Sequence, residues 1–84
     1  MGKYEKLLFQ ILRGLSDQNV EFEDLCVLLV KLGFERRTRG SHHVFRRPGM
    51  AEMINLQNDG AKAKAYQVRQ VRAVILKYRL GKDW

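Results

Sequence analysis

The chain has a single cysteine, a single proline and no long apolar run, and each shortage narrows the kind of protein it can be. One cysteine cannot form an internal disulfide, which favours a reducing compartment, and we expect the cytoplasm. No apolar stretch approaches the roughly 20 residues of a membrane span, and no secretory signal pattern precedes the first helix. With 84 residues, of which 45% are hydrophobic, the sequence predicts one soluble domain with a modest core.

Metal and thiol chemistry also lack support in the sequence. Cys26 lies in the apolar run 25–30, with acidic residues just before it, so we expect it in the core rather than as a nucleophile. The two histidines are adjacent, and no cysteine or acid stands at ligand spacing from them. The sequence therefore predicts neither a bound metal nor a cofactor.

Charge is distributed unevenly along the chain, whose net charge is +7. Residues 1–30 hold three basic and five acidic groups, a balance of −2, whereas residues 31–84 hold thirteen and four, a balance of +9. This asymmetry indicates an anionic partner for the later part, with nucleic acid ahead of a membrane surface. The alternative is a solvated surface that only aids solubility.

Two helices are expected before the basic part. Apolar residues at helical spacing predict a first helix from about Lys3 to Leu15, and a second runs from about Glu23 to Leu32, where Gly33 ends it. The second helix is apolar on two sides and so needs two neighbours. One is a sheet; the other is the first helix or a partner protein. The first helix could instead dock on another chain, as in a homodimer.

The remaining sequence predicts three strands and a helix. Residues 34–39 and 42–47 flank Gly40-Ser41 as a hairpin, and residues 53–57 form a third strand. A long helix is expected over 62–80, with Arg72 among the residues of its basic outer face, followed by a short tail that ends at Trp84. The fold class is therefore α+β, a three-stranded antiparallel meander with helices on one face.

The segment from Arg36 to Arg47 is the most concentrated cationic stretch, with five arginines, no acid, both histidines and Phe45. Arginine pairs bidentately with phosphate, and an aromatic ring among arginines can stack on an unpaired base, so the composition suits RNA. An edge strand protected by charge is the competing interpretation.

Histidine adds a group that exchanges protons near neutral pH. In metal-free RNA cleavage a base removes the proton from a 2′-hydroxyl, which attacks the adjacent phosphate while cations stabilise the developing charge. Strand alternation puts His42, Val44 and Arg46 on one face and His43, Phe45 and Arg47 on the other. Spacing alone leaves the choice between His42 and His43 open.

The sequence resembles the HicA family of mRNA interferases from type II toxin–antitoxin systems. The resemblance rests on Leu29-Val30-Lys31-Leu32-Gly33-Phe34, Gly40-Ser41-His42-His43-Val44-Phe45 and Arg47-Pro48, in the family's order. It implies three parts: a helical extension at 1–21, a HicA-like RNA-binding and ribonuclease domain at 22–80, and a short tail at 81–84. The added first helix and the sequence of residues 62–72 depart from the family pattern.

The resemblance further implies an α-β-β-β-α fold like that of double-stranded RNA-binding domains, RNA cleavage without metal, and neutralisation by a HicB-like antitoxin. The family's catalytic histidine follows Gly-Ser, which is His42 here. Together with the charge pattern, this gives a set of candidate RNA contacts: Arg36, Arg37, Arg39, Gly40, Ser41, His43, Arg46, Arg47, Lys62 and Lys64.

Three functions remain to be distinguished. The first is a cytoplasmic endoribonuclease toxin that cleaves mRNA with His42 as general base. The second is a non-catalytic RNA-binding or regulatory module of the same fold, which the same basic face and the added first helix suggest. The third is a scaffold for an acidic protein.

Overall fold

The computed structural model describes residues 2–82, so the position of Trp84 lies outside the described residues. The elements follow the order α-α-β-β-β-α. Their bounds are α1 Lys3–Leu12, α2 Phe22–Lys31, β1 Glu35–Arg39, β2 His42–Arg46, β3 Met53–Gln57 and α3 Ala65–Tyr78.

The three strands form one antiparallel sheet in the order β1-β2-β3, which confirms the predicted meander and the α+β class. Arg39 pairs with His42 across the two-residue turn Gly40-Ser41. Gly40 has φ 60°, a left-handed conformation that a residue without Cβ adopts at no steric cost, so the two arginine-bearing strands fold back on each other.

Helices α2 and α3 cover one face of the sheet. Phe45, Ile54 and Leu56 point from the sheet into the core and are at most 1% exposed. α2 contacts β1 and α3 contacts β3, while α1 packs against α2 and α3. The first helix therefore occupies the second side of α2 within the same chain, through Leu8 and Ile11. The opposite sheet face carries no helix from residues 2–82.

The cysteine lies in the core as expected. Cys26 is fully buried, and its burial raises the pKa of the thiol to about 11. A thiol that stays protonated in an apolar setting is a poor nucleophile, and the position of Cys26 is that of a core residue.

α3 begins three residues later than the predicted start at Lys62. Residues 61–63 are extended because they pair with the segment before α2: Phe22 N–H donates to the Ala61 carbonyl at 2.9 Å, and Ala63 N–H donates to the Val20 carbonyl at 2.8 Å. This pairing gives the backbone of 61–63 partners that a further helical turn would remove, so tertiary context overrides the helical pattern.

Arg72 also departs from expectation, because it is not part of a free basic face. Its Nε donates to the Ile11 carbonyl at 2.7 Å, and its Nη2 lies 2.5 and 2.6 Å from the two carboxylate oxygens of Asp17. The guanidinium satisfies a carbonyl at the end of α1 and an acid in the following loop. Arg72 thus fastens α1 to α3.

No helix within residues 2–82 combines the length and the apolar composition that crossing a bilayer requires.

Candidate functional site

The two adjacent histidines point to opposite faces of β2, as strand alternation requires. His43 faces the helices and is 6% exposed, whereas His42 is exposed on the helix-free face. Only His42 can meet a large ligand without the helices moving.

His43 belongs to a network between the sheet and α2. Its Nδ1 lies 3.2 Å from both Arg36 Nη2 and Thr38 Oγ1, and its ring meets Phe22 edge-on with centroids 5.1 Å apart. Burial, followed by the charge of Arg36, lowers the pKa of His43, so the ring is held neutral. Nδ1 then accepts hydrogen bonds, and the residue performs a structural task.

Arg36 is shared between this network and α2. Its two terminal nitrogens donate to the two carboxylate oxygens of Glu23 at 2.8 and 3.0 Å. Hydrogen bonding from Arg36 lowers the pKa of Glu23, which keeps the pair ionised. The bidentate bond joins β1 to α2 and occupies the fork that would otherwise bind phosphate.

The helix-free side of the sheet, which we call the open face, has a regular layout fixed by the strand register. Directly opposed residues of an antiparallel sheet share a face, with Cβ atoms about 5 Å apart. The open face consists of three rows that run from β1 through β2 to β3: Arg39–His42–Gln57, Arg37–Val44–Asn55 and Glu35–Arg46–Met53.

The cations of the helix side and those of the open face differ in their partners. On the helix side Arg36 pairs with Glu23, and Arg72 with Asp17. Within residues 2–82, Arg37, Arg39 and Arg46 form no ion pair, although Glu35 stands opposite Arg46 in the sheet. These three guanidinium groups of the open face are therefore available to an external anion.

The other predicted contacts are spread over the molecule. Gly40 and Ser41 form the turn beside His42. Arg47 follows β2, and its side chain lies against Gly33, so close that a Cβ added to this glycine would be 2.9 Å from Arg47 Nε. Lys62 donates to Asn19 Oδ1 at 3.2 Å, and Lys64 Nζ lies 3.7 Å from Asp59 Oδ2. The structure brings Arg37, Arg39, Arg46 and the turn together with His42, but not Arg36, His43 or Arg47.

Sequence reasoning missed the contribution of β3 to this face. Asn55 and Gln57 are exposed beside Val44 and His42, and Met53 is 48% exposed beside Arg46. The alternation of apolar and polar residues along 53–57 contains this signal, because Ile54 and Leu56 must face the core. Only the register with β2 turns that alternation into neighbours of His42.

The chemistry available on the open face is anion binding and proton transfer. Its arginines can hold phosphate oxygens, and the exposed imidazole of His42 can accept a proton beside them. No group of three or more His, Cys, Asp or Glu side chains suited to a metal ion occurs within residues 2–82. Compared with protein-family models, curated proteins and solved structures, the chain matches none.

Proposed function

We propose that this protein is a metal-independent endoribonuclease of the HicA type, the toxin of a toxin–antitoxin pair, in which His42 is the general base. The observation that carries the proposal is the position of His42 on the open face, between Arg39 and Gln57, among arginines without an acidic partner. RNA meets both requirements of such a site, since it brings a phosphate and a neighbouring 2′-hydroxyl.

The proposed reaction uses the neutral imidazole of His42 to take the proton of a 2′-hydroxyl. The 2′-oxygen then bonds to the adjacent phosphorus, the bond from phosphorus to the 5′-oxygen breaks, and the leaving oxygen takes a proton from water. Arg37 and Arg39 donate to the phosphoryl oxygens as negative charge builds on them. The products are a 2′,3′-cyclic phosphate and a 5′-hydroxyl.

The order of elements supports the fold part of this proposal. α2, the three strands and α3 give the α-β-β-β-α sequence of a double-stranded RNA-binding domain, to which α1 is added. A HicB-like antitoxin that covers the open face would shield both His42 and the unpaired arginines. The cytoplasm, where mRNA is available, is the compartment that this function requires.

The direct test is cleavage of mRNA in EDTA by purified protein and by His42→Ala. The wild type should cut, and the variant should lose cleavage while its circular dichroism and melting temperature remain those of the wild type. His43→Gln serves as the matched variant on the other face, because it changes the adjacent imidazole without touching the open face. A His42→Ala protein that cuts at the wild-type rate excludes His42 as the base.

A non-catalytic RNA-binding module is the second candidate, and one observation favours it. His42 is the only histidine in the three rows of the open face, so within residues 2–82 this face offers no second imidazole to protonate the leaving oxygen. This candidate predicts salt-sensitive RNA binding without products. Cleavage that copurifies with the protein and disappears in His42→Ala would eliminate it.

A further inference from the structure

The open face is divided into a cationic half and an uncharged half. β1 contributes Arg37 and Arg39, with Glu35 at its first position opposite Arg46, whereas β3 contributes Met53, Asn55 and Gln57, none of which is charged. His42, Val44 and Arg46 of β2 lie between these halves. Positive charge on the open face therefore decreases from β1 to β3, in the direction perpendicular to the strands.

A single RNA strand is polarised in the same way, since its phosphates line one side and its bases project from the other. Phosphate oxygens gain most from the guanidinium groups of β1, while bases offer apolar faces and hydrogen-bonding edges. The reverse orientation would put phosphates over three uncharged side chains and bases over arginines. Charge matching therefore sets the direction in which the strand lies.

One spot on the uncharged half has the parts of a base-recognition site. Val44, which is half-buried at the centre of the sheet, and Met53 are diagonal neighbours and provide apolar surface. Asn55 stands directly opposite Val44 and lies two residues from Met53 along β3. Its exposed side-chain amide forms no hydrogen bond within residues 2–82, so it is free to pair with a base edge.

The amide of Asn55 supplies one donor and one acceptor side by side, a pattern that complements the N6 amino group and N7 of adenine. His42 lies one row away, two residues from Val44 and about 7 Å along β2, so a base read here belongs to a nucleotide close to the scissile phosphate.

We propose that single-stranded RNA lies along the open face with its phosphates over β1 and its bases over β3, where Asn55 reads an adenine that rests on Val44 and Met53. This inference rests on the proposed function and adds the base specificity and the orientation of the bound strand. Arg37 contacts the phosphate and is indifferent to the base.

The test measures binding of three fluorescent oligonucleotides, each nine nucleotides of adenine, cytosine or uracil, by anisotropy at several salt concentrations. A 2′-fluorine replaces the nucleophilic 2′-hydroxyl in every nucleotide, so the probes cannot be cleaved. Wild type should prefer the adenine oligomer by about tenfold, the order of one bidentate contact. Asn55→Asp replaces the donor by a second acceptor, which suits the cytosine amino group, so the preference should move from adenine to cytosine. Arg37→Gln should weaken all three equally and lower the salt slope by about one.

Asn58→Asp is the control, because it introduces the same charge one residue past the end of β3, at a position that belongs to none of the three rows of the open face. It should keep the wild-type preference. Equal binding of the three oligomers by wild type, or an unchanged preference in Asn55→Asp, overturns this inference and leaves the proposed function standing. If none of the three oligomers binds at low salt, both this inference and the proposed function are overturned.

Discussion

Replacing each histidine in turn by alanine should separate a structural residue from an exposed one. His43→Ala removes a ring that is 6% exposed, its edge-on contact with Phe22 at 5.1 Å, and the acceptor that faces Arg36 and Thr38 at 3.2 Å. Truncating a large buried side chain costs about 2–5 kcal/mol. The imidazole is smaller than a benzyl ring and has polar partners, Arg36 and Thr38 on β1, so we expect a loss of about 2 kcal/mol, at the lower end of that range.

His42→Ala should change the free energy of unfolding by less than about 0.5 kcal/mol, since the side chain is exposed and has no partner in residues 2–82. Urea denaturation followed by far-ultraviolet circular dichroism measures both values. For a domain of this size, a difference of about 2 kcal/mol corresponds to roughly 8–16 °C in melting temperature. Equal losses in the two variants, or a larger loss in His42→Ala, would refute the assignment of the two histidines to opposite faces.

Three further outcomes are expected. The lowered pKa of His43 means that the folded state disfavours protonation of its ring. The contribution of the neutral ring to the free energy of unfolding should therefore be complete above about pH 6.5, the pKa of an unperturbed histidine, and should decline as pH falls below that value. Urea titrations at a series of pH values should show a weaker decline in His43→Gln. Arg72→Leu should cost about 2 kcal/mol, because Asp17 loses its partner and the Ile11 carbonyl keeps only the Gly14 N–H as a donor. Asp17→Asn in the same chain should recover part of that loss in thermal melts. RNA fragments should end in 2′,3′-cyclic phosphate, and mass spectrometry that finds 3′-hydroxyl ends would contradict attack by the 2′-oxygen.

The sheet and its two faces were predictable because they depend on local patterns. Gly40-Ser41 between two short runs specifies a hairpin, and alternation around Phe45 fixes which side chains enter the core. The third strand was predicted with its observed bounds, Met53–Gln57. Strand alternation also separated His42 from His43 correctly, but it could not say which face the helices cover.

Sequence patterns did not show the distant partners of long side chains and segments. Arg36 was grouped with the candidate RNA contacts and Arg72 with a basic outer face, yet each bonds to an acid remote in sequence, Glu23 or Asp17. A guanidinium reaches several ångströms from its backbone, so composition cannot tell which arginines will meet an acid. The helical pattern at Lys62 failed for a similar reason, because its segment bridges to Glu21 across the fold.

The candidate site was predictable on β2 and incomplete on β3. Charge density identified the arginines, but uncharged residues such as Asn55 and Gln57 carry no comparable signal until the register places them beside Val44 and His42. A site that spans three strands is therefore recognised fully only after the strands are aligned.

The measurement that tests the central claim most directly is the single-turnover rate of RNA cleavage in EDTA, with protein in excess, for wild type and His42→Ala at matched RNA saturation. Saturation removes differences in binding, so the ratio of rates reports the steps that follow binding. We expect a loss of at least about 100-fold, the lower bound for removing a general base. Equal rates in the two proteins, or no cleavage by the wild type, would contradict a catalytic role for His42.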